Sequence, residues 1–194
     1  MTKQEYRKLA LELRDSIPFE KRDKYSKKIA ERLIESESVK KAENILIYYS
    51  YRSEVDTKDL IERLIQMGKK VFCPKVIDPK EGIMEFYRIT DMDQISEGFH
   101  GIPEPVTKGA YETDLGRLHS DTLMIIPGVA FDRECNRIGY KGGFYDRYIP
   151  RVPGAKLVAI AFDEQIFDDV FPMESHDMKP DMIISQSRID IFKS

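Results

Sequence analysis

Three features of this 194-residue sequence predict an α/β domain with three layers and a mostly parallel central sheet. Short apolar runs rich in β-branched and aromatic residues, at 44–49 (NILIYY), 123–126 (LMII) and 155–162 (AKLVAIAF), read as strands buried on both faces. Between them lie segments whose apolar residues recur three and four apart, the period of a helix packed on one side. A glycine-rich stretch follows one of the strands, at the end of the sheet where open α/β folds bind ligands. A chain of this length buries roughly 70% of its unfolded surface, so one domain spanning 1–194 is the expected organisation.

In chain order, Thr2 and Glu5 make a T-x-x-E capping box, and Tyr6, Leu9, Ala10, Leu13 and Ile17 recur at helical spacing, so a helix is expected over 2–16. Lys3, Arg7 and Arg14 project together along one edge of that stripe. Like charges four apart repel weakly, so these cations either point into solvent or share an anion. Pro18 in a first turn opens a second helix to about Ser36, with Tyr25, Ile29 and Leu33 inward. After the strand at 44–49, the segment 50–57 leads into a helix over 57–67 that Gly68 stops, and Asp56 is placed to cap its start. Strands are expected at 69–73 and 83–89, the second alternating and so near an edge. Residues 90–120 read as a long loop with a rigid turn at Gly101-Ile102-Pro103-Glu104-Pro105. A final strand is expected at 181–185, after an acidic segment.

Composition excludes several classes. No apolar run approaches the ~20 residues that span a bilayer. The N-terminal segment lacks the apolar stretch of a secretory signal, so a cytoplasmic location is expected. Cys73, Cys135 and the histidines at 100, 119 and 176 fall in no zinc spacing. A net charge of −3 argues against general nucleic-acid binding. No membrane or nucleic-acid partner is expected, and a monomer is favoured.

Gly139, Gly142 and Gly143, between a strand and a helix-like segment, are the candidate cradle for phosphate. Glycine lets the backbone approach an anion, and a helix start offers free N–H groups. The spacing matches neither G-x-x-x-x-G-K-[ST] nor G-x-G-x-x-G, and a plain strand-to-helix turn explains the glycines equally well. Asp146 adds a second signal. In a first helical turn it is favoured by the dipole alone. Beside a polyphosphate it would need a cation between the two anions, and Mg2+ held by a carboxylate and phosphates is the usual solution.

The run Pro127-Gly128-x-Ala130-Phe131-Asp132, followed by Arg137-Ile138-Gly139-Tyr140-Lys141-Gly142-Gly143-Phe144-Tyr145-Asp146-Arg147, resembles the signature of the 5-formyltetrahydrofolate cyclo-ligase family. The resemblance covers essentially the whole chain. It implies a Rossmann-like sheet and an enzyme that uses Mg-ATP to close 5-formyltetrahydrofolate into 5,10-methenyltetrahydrofolate. It makes Lys3 and Arg7 cations for the ATP phosphates, joined by Arg137 and Lys141, with Gly139, Gly142 and Gly143 shaping the turn. Tyr140, Phe144 and Tyr145 then border nucleotide or folate, or else belong to the core. The segment Glu54-Val55-Asp56-Thr57 matches the family's E-[VI]-[DE]-T motif, in which the second acid, here Asp56, contacts the pterin; Tyr51 and Glu54 are further folate candidates. Residues 101–105 also match, as a wall or lid near the folate. Asp146 and Asp181 are implied to share the magnesium. One departure stands out: the family pattern reads G-x-G-[GK]-G-[FY]-Y-D, and here Lys141 occupies the second glycine position. Two other classes stay open, a non-catalytic binding module of the same fold and a sugar-phosphate isomerase on a related sheet.

Overall fold

Four of the inner strands carry the fold's core, because each is apolar along nearly its whole length. In the computed structural model, which describes residues 1–98, 101–106 and 121–192, these are β1 (Asn44–Ile47), β6 (Thr122–Ile126), β9 (Lys156–Ile160) and β11 (Met182–Ile184). They are parallel neighbours in a seven-stranded sheet whose order is β12 (Ile189–Ile191), β11, β9, β6, β1, β2 (Lys70–Asp78) and β3 (Ile83–Ile89). Alternate residues face opposite ways, so Ile45, Ile47, Leu123, Ile125, Val158 and Ile160 enter one core. Leu46, Met124, Ile126, Leu157 and Ala159 enter the other. Two buried faces demand two covering layers, which is why these strands read as unbroken apolar runs.

One cover is helical. In α2 (Phe19–Glu35), Ile29, Ala30 and Leu33 face the sheet; in α4 (Lys58–Gln66), Leu60, Ile61 and Leu64 do so. A short α3 (Glu37–Lys41), capped by Ser36, adds Val39. The other cover is thinner. It is built from α5 (Phe144–Tyr148) and the 3-10 turn at Ile149–Arg151, which bring Tyr148 and Ile149 onto Phe86 and Phe131. The N-terminal helix α1 (Lys3–Ser16) carries the expected capping box and packs Tyr6 and Ala10 on Val129, Ile138 and Phe171.

The sheet edges are antiparallel. β2 (Lys70–Asp78) runs beyond its expected end at Cys73 because β3 (Ile83–Ile89) pairs with it from Val71 to Asp78, with a register shift after Val76. At the other edge, β12 (Ile189–Ile191) turns back on β11, so the strand at Met182–Ile184 is not the last. The expected strand at 44–49 stops at Ile47, and Pro18 caps α2 from outside instead of opening it. Residues 103–105 are not a turn: β5 (Pro103–Pro105) pairs with β4 (Ile95–Glu97) in a ribbon. Residues 99–100 and 107–120 of the expected long loop lie outside the described residues. Among the described residues no helix is long and apolar enough to cross a membrane.

The chain reverses its direction of travel across the sheet between β1 and β6. From β1 it moves outward through β2 and β3, and from β6 it moves outward through β9 and β11. Connections leaving β1 and β6 therefore diverge, opening a crevice at the C-terminal ends of these two strands. The wall of that crevice is held by the core beneath it: Phe86 is fully buried, its ring centroid 4.9 Å from that of Tyr148 and 6.4 Å from that of Tyr145. Phe86→Ala is expected to cost about 3–5 kcal/mol. Urea unfolding would show it as a lower midpoint at unchanged slope.

Candidate active site

The crevice holds a cavity of about 920 Å³. It gathers α1, the segment after β1, the ribbon and the glycine stretch. A cavity of this size is at the upper end of the range of small-molecule and cofactor sites.

The glycine stretch is built differently from a plain strand-turn-helix. A hairpin of β7 (Ala130–Asp132) and β8 (Arg137–Ile138) stands between β6 and the glycines, with β10 (Ile166–Phe167) on its far side. Asp132 makes the hairpin turn. Fully buried, its carboxylate accepts from the backbone N–H of Glu134 and Asn136, each at 2.9 Å, from the Asn136 amide at 2.6 Å and from Phe171 N–H at 2.8 Å. The turn delivers Arg137 back to the end of β6. There its guanidinium, on a residue only 5% exposed, donates to Pro127 O, Met178 O and Asp146 Oδ1, the last at 2.6 Å. A buried cation with three acceptors is fixed in direction as well as place.

The turn itself has Lys141 at φ +132°, Gly142 at +89° and Gly143 at +62°. Gly143 ends the turn as the cap of α5, which is only five residues long, so the helix end is a weaker source of positive potential than the sequence suggests. Lys141 sits in a backbone region that side chains rarely adopt, which explains why a glycine suits this position. It nonetheless lines the cavity. Lys141→Gly is expected to raise the unfolding free energy by about 1 kcal/mol, because relief of ~1–3 kcal/mol of strain exceeds glycine's extra unfolded-state freedom, about 0.4–1 kcal/mol. Affinity for a polyphosphate should fall in the same variant, so urea titration and calorimetric titration read the two effects separately.

Cations form one wall. Lys3, Arg7, Leu11 and Arg14 project from one face of α1 into the cavity, at spacings of four, four and three. Arg7 Nε donates to Gly139 O at 2.7 Å, tying α1 to the glycine turn. Lys3 pairs with Asp177 and, at 3.4 Å, with Glu174. Burial opposes the Lys3 charge most strongly, but the two carboxylates outweigh it and hold its ammonium above the usual lysine value. Burial likewise opposes ionisation of Asp177, yet Lys3 and the Glu174 N–H keep it below the usual carboxylate value. Both remain charged across the neutral range.

The opposite wall comes from the segment after β1 and from β2, β3 and the ribbon. Tyr48, Tyr49, Tyr51 and Glu54 line it with Pro74, Val76, Met84 and Glu104. Glu54 accepts from Tyr51 N–H at 2.8 Å, and burial raises its carboxyl above the usual glutamate value. Tyr48, fully buried, donates to Val55 O at 3.1 Å. Desolvation pushes the hydroxyls of Tyr48 and Tyr145 well above the ordinary tyrosine range.

Most of the expected residues meet here. Lys3, Arg7, Tyr51, Glu54, Arg137, Gly139, Tyr140, Lys141, Gly143, Phe144, Tyr145 and Asp146 all line the cavity. Gly142 shapes the turn without lining it. Asp56 does not reach the wall either: its Oδ1 accepts from Ser50 Oγ at 2.8 Å and Lys58 N–H at 3.0 Å, a role at the start of α4 close to the expected cap. The carboxylate presented on that side is Glu54. Asp181 is also elsewhere, at the N-terminal end of β11, accepting from Leu157 N–H at 2.8 Å.

The aspartate of the acidic segment that shares the cavity with Asp146 is Asp177. It lines the cavity, and the next residue, Met178, donates its N–H to Asp146 Oδ1 at 3.1 Å. The sequence showed two aspartates four apart around Lys179-Pro180, and nothing in the spacing says which faces the cavity. Among the described residues no group of three or more His, Cys, Asp or Glu is gathered into a metal cage. Two carboxylates on one wall fit a hard cation that shares its remaining ligands with phosphate and water. The cavity therefore suits a polyanion with its metal against α1 and a second, flatter ligand against the tyrosines and Glu54.

The sequence pattern of the 5-formyltetrahydrofolate cyclo-ligase family matches residues 1–186. A probable 5-formyltetrahydrofolate cyclo-ligase of Schizosaccharomyces pombe is 29% identical over 180 residues, 86% of each chain. The 5-formyltetrahydrofolate cyclo-ligase of Escherichia coli K12 is 28% identical over 172 residues, 88% of this chain and 92% of that one. In fold, the chain is similar to 5,10-methenyltetrahydrofolate synthetase from Aquifex aeolicus, with a TM-score of 0.83 at 28% identity over 100% of this chain and 94% of that one.

Proposed function

The chain belongs to the 5-formyltetrahydrofolate cyclo-ligase family, and from that premise we propose that it converts 5-formyltetrahydrofolate and ATP to 5,10-methenyltetrahydrofolate, ADP and phosphate. The observation that supports this most is the division of one cavity between a cationic wall with two carboxylates and an aromatic wall with Glu54. A phosphate-only site would need no aromatic wall, and a folate-only site would need no cluster of Lys3, Arg7, Arg137 and Lys141.

The chemistry follows from the leaving group. A formyl oxygen does not depart readily, so it first takes the γ-phosphoryl group: an oxygen–phosphorus bond forms and the bond to the ADP oxygen breaks. The N10 lone pair then attacks the activated carbon, the carbon–oxygen bond breaks with phosphate leaving, and the N10 proton passes to solvent. Phosphoryl transfer needs mainly alignment and charge neutralisation. Lys3, Arg7 and Arg137 supply fixed positive charge, with Lys141 at the turn. Asp146 and Asp177 would hold Mg2+, which neutralises phosphate charge when bound. Glu54 faces the other wall, where a carboxylate matches the paired N–H donors of a pterin edge.

The test follows methenyltetrahydrofolate absorbance as purified protein meets 5-formyltetrahydrofolate, with and without Mg2+ and ATP. Product that requires both supports the reading. Binding of ATP or folate without product would leave a non-catalytic binding module.

A further inference from the structure

Arg14 is the one cavity-lining cation of α1 that the phosphate chemistry leaves without a task. Its residue is 3% exposed, and its partners come from two other parts of the site. Nε donates to Ser53 Oγ at 3.0 Å, in the segment after β1, and Nη1 donates to the hydroxyl of Tyr140, in the glycine turn. Its guanidinium carbon also lies 5.4 Å from the Tyr140 ring centre. Tyr140 is 42% exposed, and its hydroxyl meets the buried Arg14. The Glu54 carboxylate lies next to that hydroxyl, and Glu54 and Arg14 line the same cleft beside Tyr48. Ser53 in turn donates to Asp15, the next residue of α1. An arginine, a tyrosine and a glutamate thus run in a line from the helix of phosphate cations to the opposite wall.

We propose that Arg14 is a positioning residue for the folate: it fixes the Tyr140 hydroxyl and, through it, the Glu54 carboxylate, and ties both to the helix that presents Lys3 and Arg7 to the phosphates. The proposal rests on the function given above. A hydroxyl that accepts from arginine is polarised and donates more strongly onward, so Glu54 is aimed and held as an acceptor. The groups facing Glu54 are Arg14 from α1, the Tyr51 N–H, and the hydroxyls of Tyr48, Tyr140 and Tyr145. Arg14 is the cation among those that favours the Glu54 charge, against the burial that opposes it. Its removal therefore moves ionisation of Glu54 to higher pH, and with it the acid side of the folate-dependent rate.

The experiment compares wild type with Arg14→Gln, Arg14→Lys, Glu54→Gln and the Arg14→Gln/Glu54→Gln pair, measuring kcat/KM for 5-formyltetrahydrofolate against pH at saturating Mg-ATP. Thermal melting is recorded for each. Arg14→Gln is expected to raise KM for the folate about 10-fold, the loss of one charge-assisted contact, and to shift the acid limb upward by about one pH unit. KM for ATP should stay within about two-fold. Arg14→Lys should keep the limb near its wild-type position, and the double variant should be no worse than Glu54→Gln alone. An unmoved limb in a folded Arg14→Gln protein, or equal losses for ATP and folate, would overturn the proposal and leave Arg14 a brace of the fold. If wild type forms no product, the proposed activity fails separately. The same variants are then judged by calorimetric binding of 5-formyltetrahydrofolate across pH, where an unchanged affinity in Arg14→Gln overturns the inference.

Discussion

Asp146→Ala is expected to lower the rate of methenyltetrahydrofolate formation by about 100- to 1000-fold, the scale at which a preorganised charge in a transition state is lost. Two effects contribute. The cavity loses a carboxylate on the wall where Asp177 also stands. It also loses the acceptor that holds Arg137, 2.6 Å away in a buried setting. Removing one partner of a buried pair leaves a cation without its counter-charge, at about 3–5 kcal/mol, so alanine tests metal binding, arginine placement and folding together. Asp146→Asn separates them. Its amide oxygen still accepts from Arg137 but gives a magnesium ion a neutral ligand. If the metal role is right, Asn keeps most of the stability, loses most of the activity and raises the Mg2+ concentration needed for half-maximal rate. Full activity in Asp146→Asn at ordinary Mg2+ would remove Asp146 from metal binding.

The sequence revealed the sheet better than the site. A strand buried on both faces is apolar at nearly every position, so β1, β6 and β9 announce themselves, as does α1 through Thr2 and Glu5. The helix spacing that puts Lys3 and Arg7 on one face is equally local. What stayed hidden depends on contacts distant in sequence. The hairpin before the glycines is held by Asp132 reaching Phe171, and its two short strands carry no period long enough to read. Arg14 is buried only because Ser53 and Tyr140 come to it. Between Glu54 and Asp56, two residues apart in an irregular segment, no periodicity decides which one faces a ligand. In the structure Glu54 lines the cavity, while Asp56 is bonded at the start of α4.

The same ambiguity separates Asp177 from Asp181, and there the expected results diverge most. Asp177→Asn should lower activity by about 100-fold or more, because it takes a charge from the wall that carries Asp146 and releases Lys3 from its strongest partner. Asp181→Asn should leave the rate within about two-fold. It sits at the other end of the strand, and the asparagine oxygen can still accept from Leu157 N–H, so the change in stability should stay within about 1 kcal/mol. A pH series adds a second reading. Asp177 titrates below its ordinary value of 3.8 when folded, so its contribution to stability is present above that value and fades as pH falls through the lowered one. Lys3 titrates above 10.5, so its share is present below that value and fades as pH rises past the raised one. Wild-type melting should therefore be insensitive to this pair across the neutral range. Asp177→Asn should remove its part of the acid dependence, while Asp181→Asn should leave that part in place. Were Asp181→Asn to abolish turnover while Asp177→Asn remained active, the segment before β11 would have to present its acids the other way round, and the magnesium ligands would be Asp146 and Asp181.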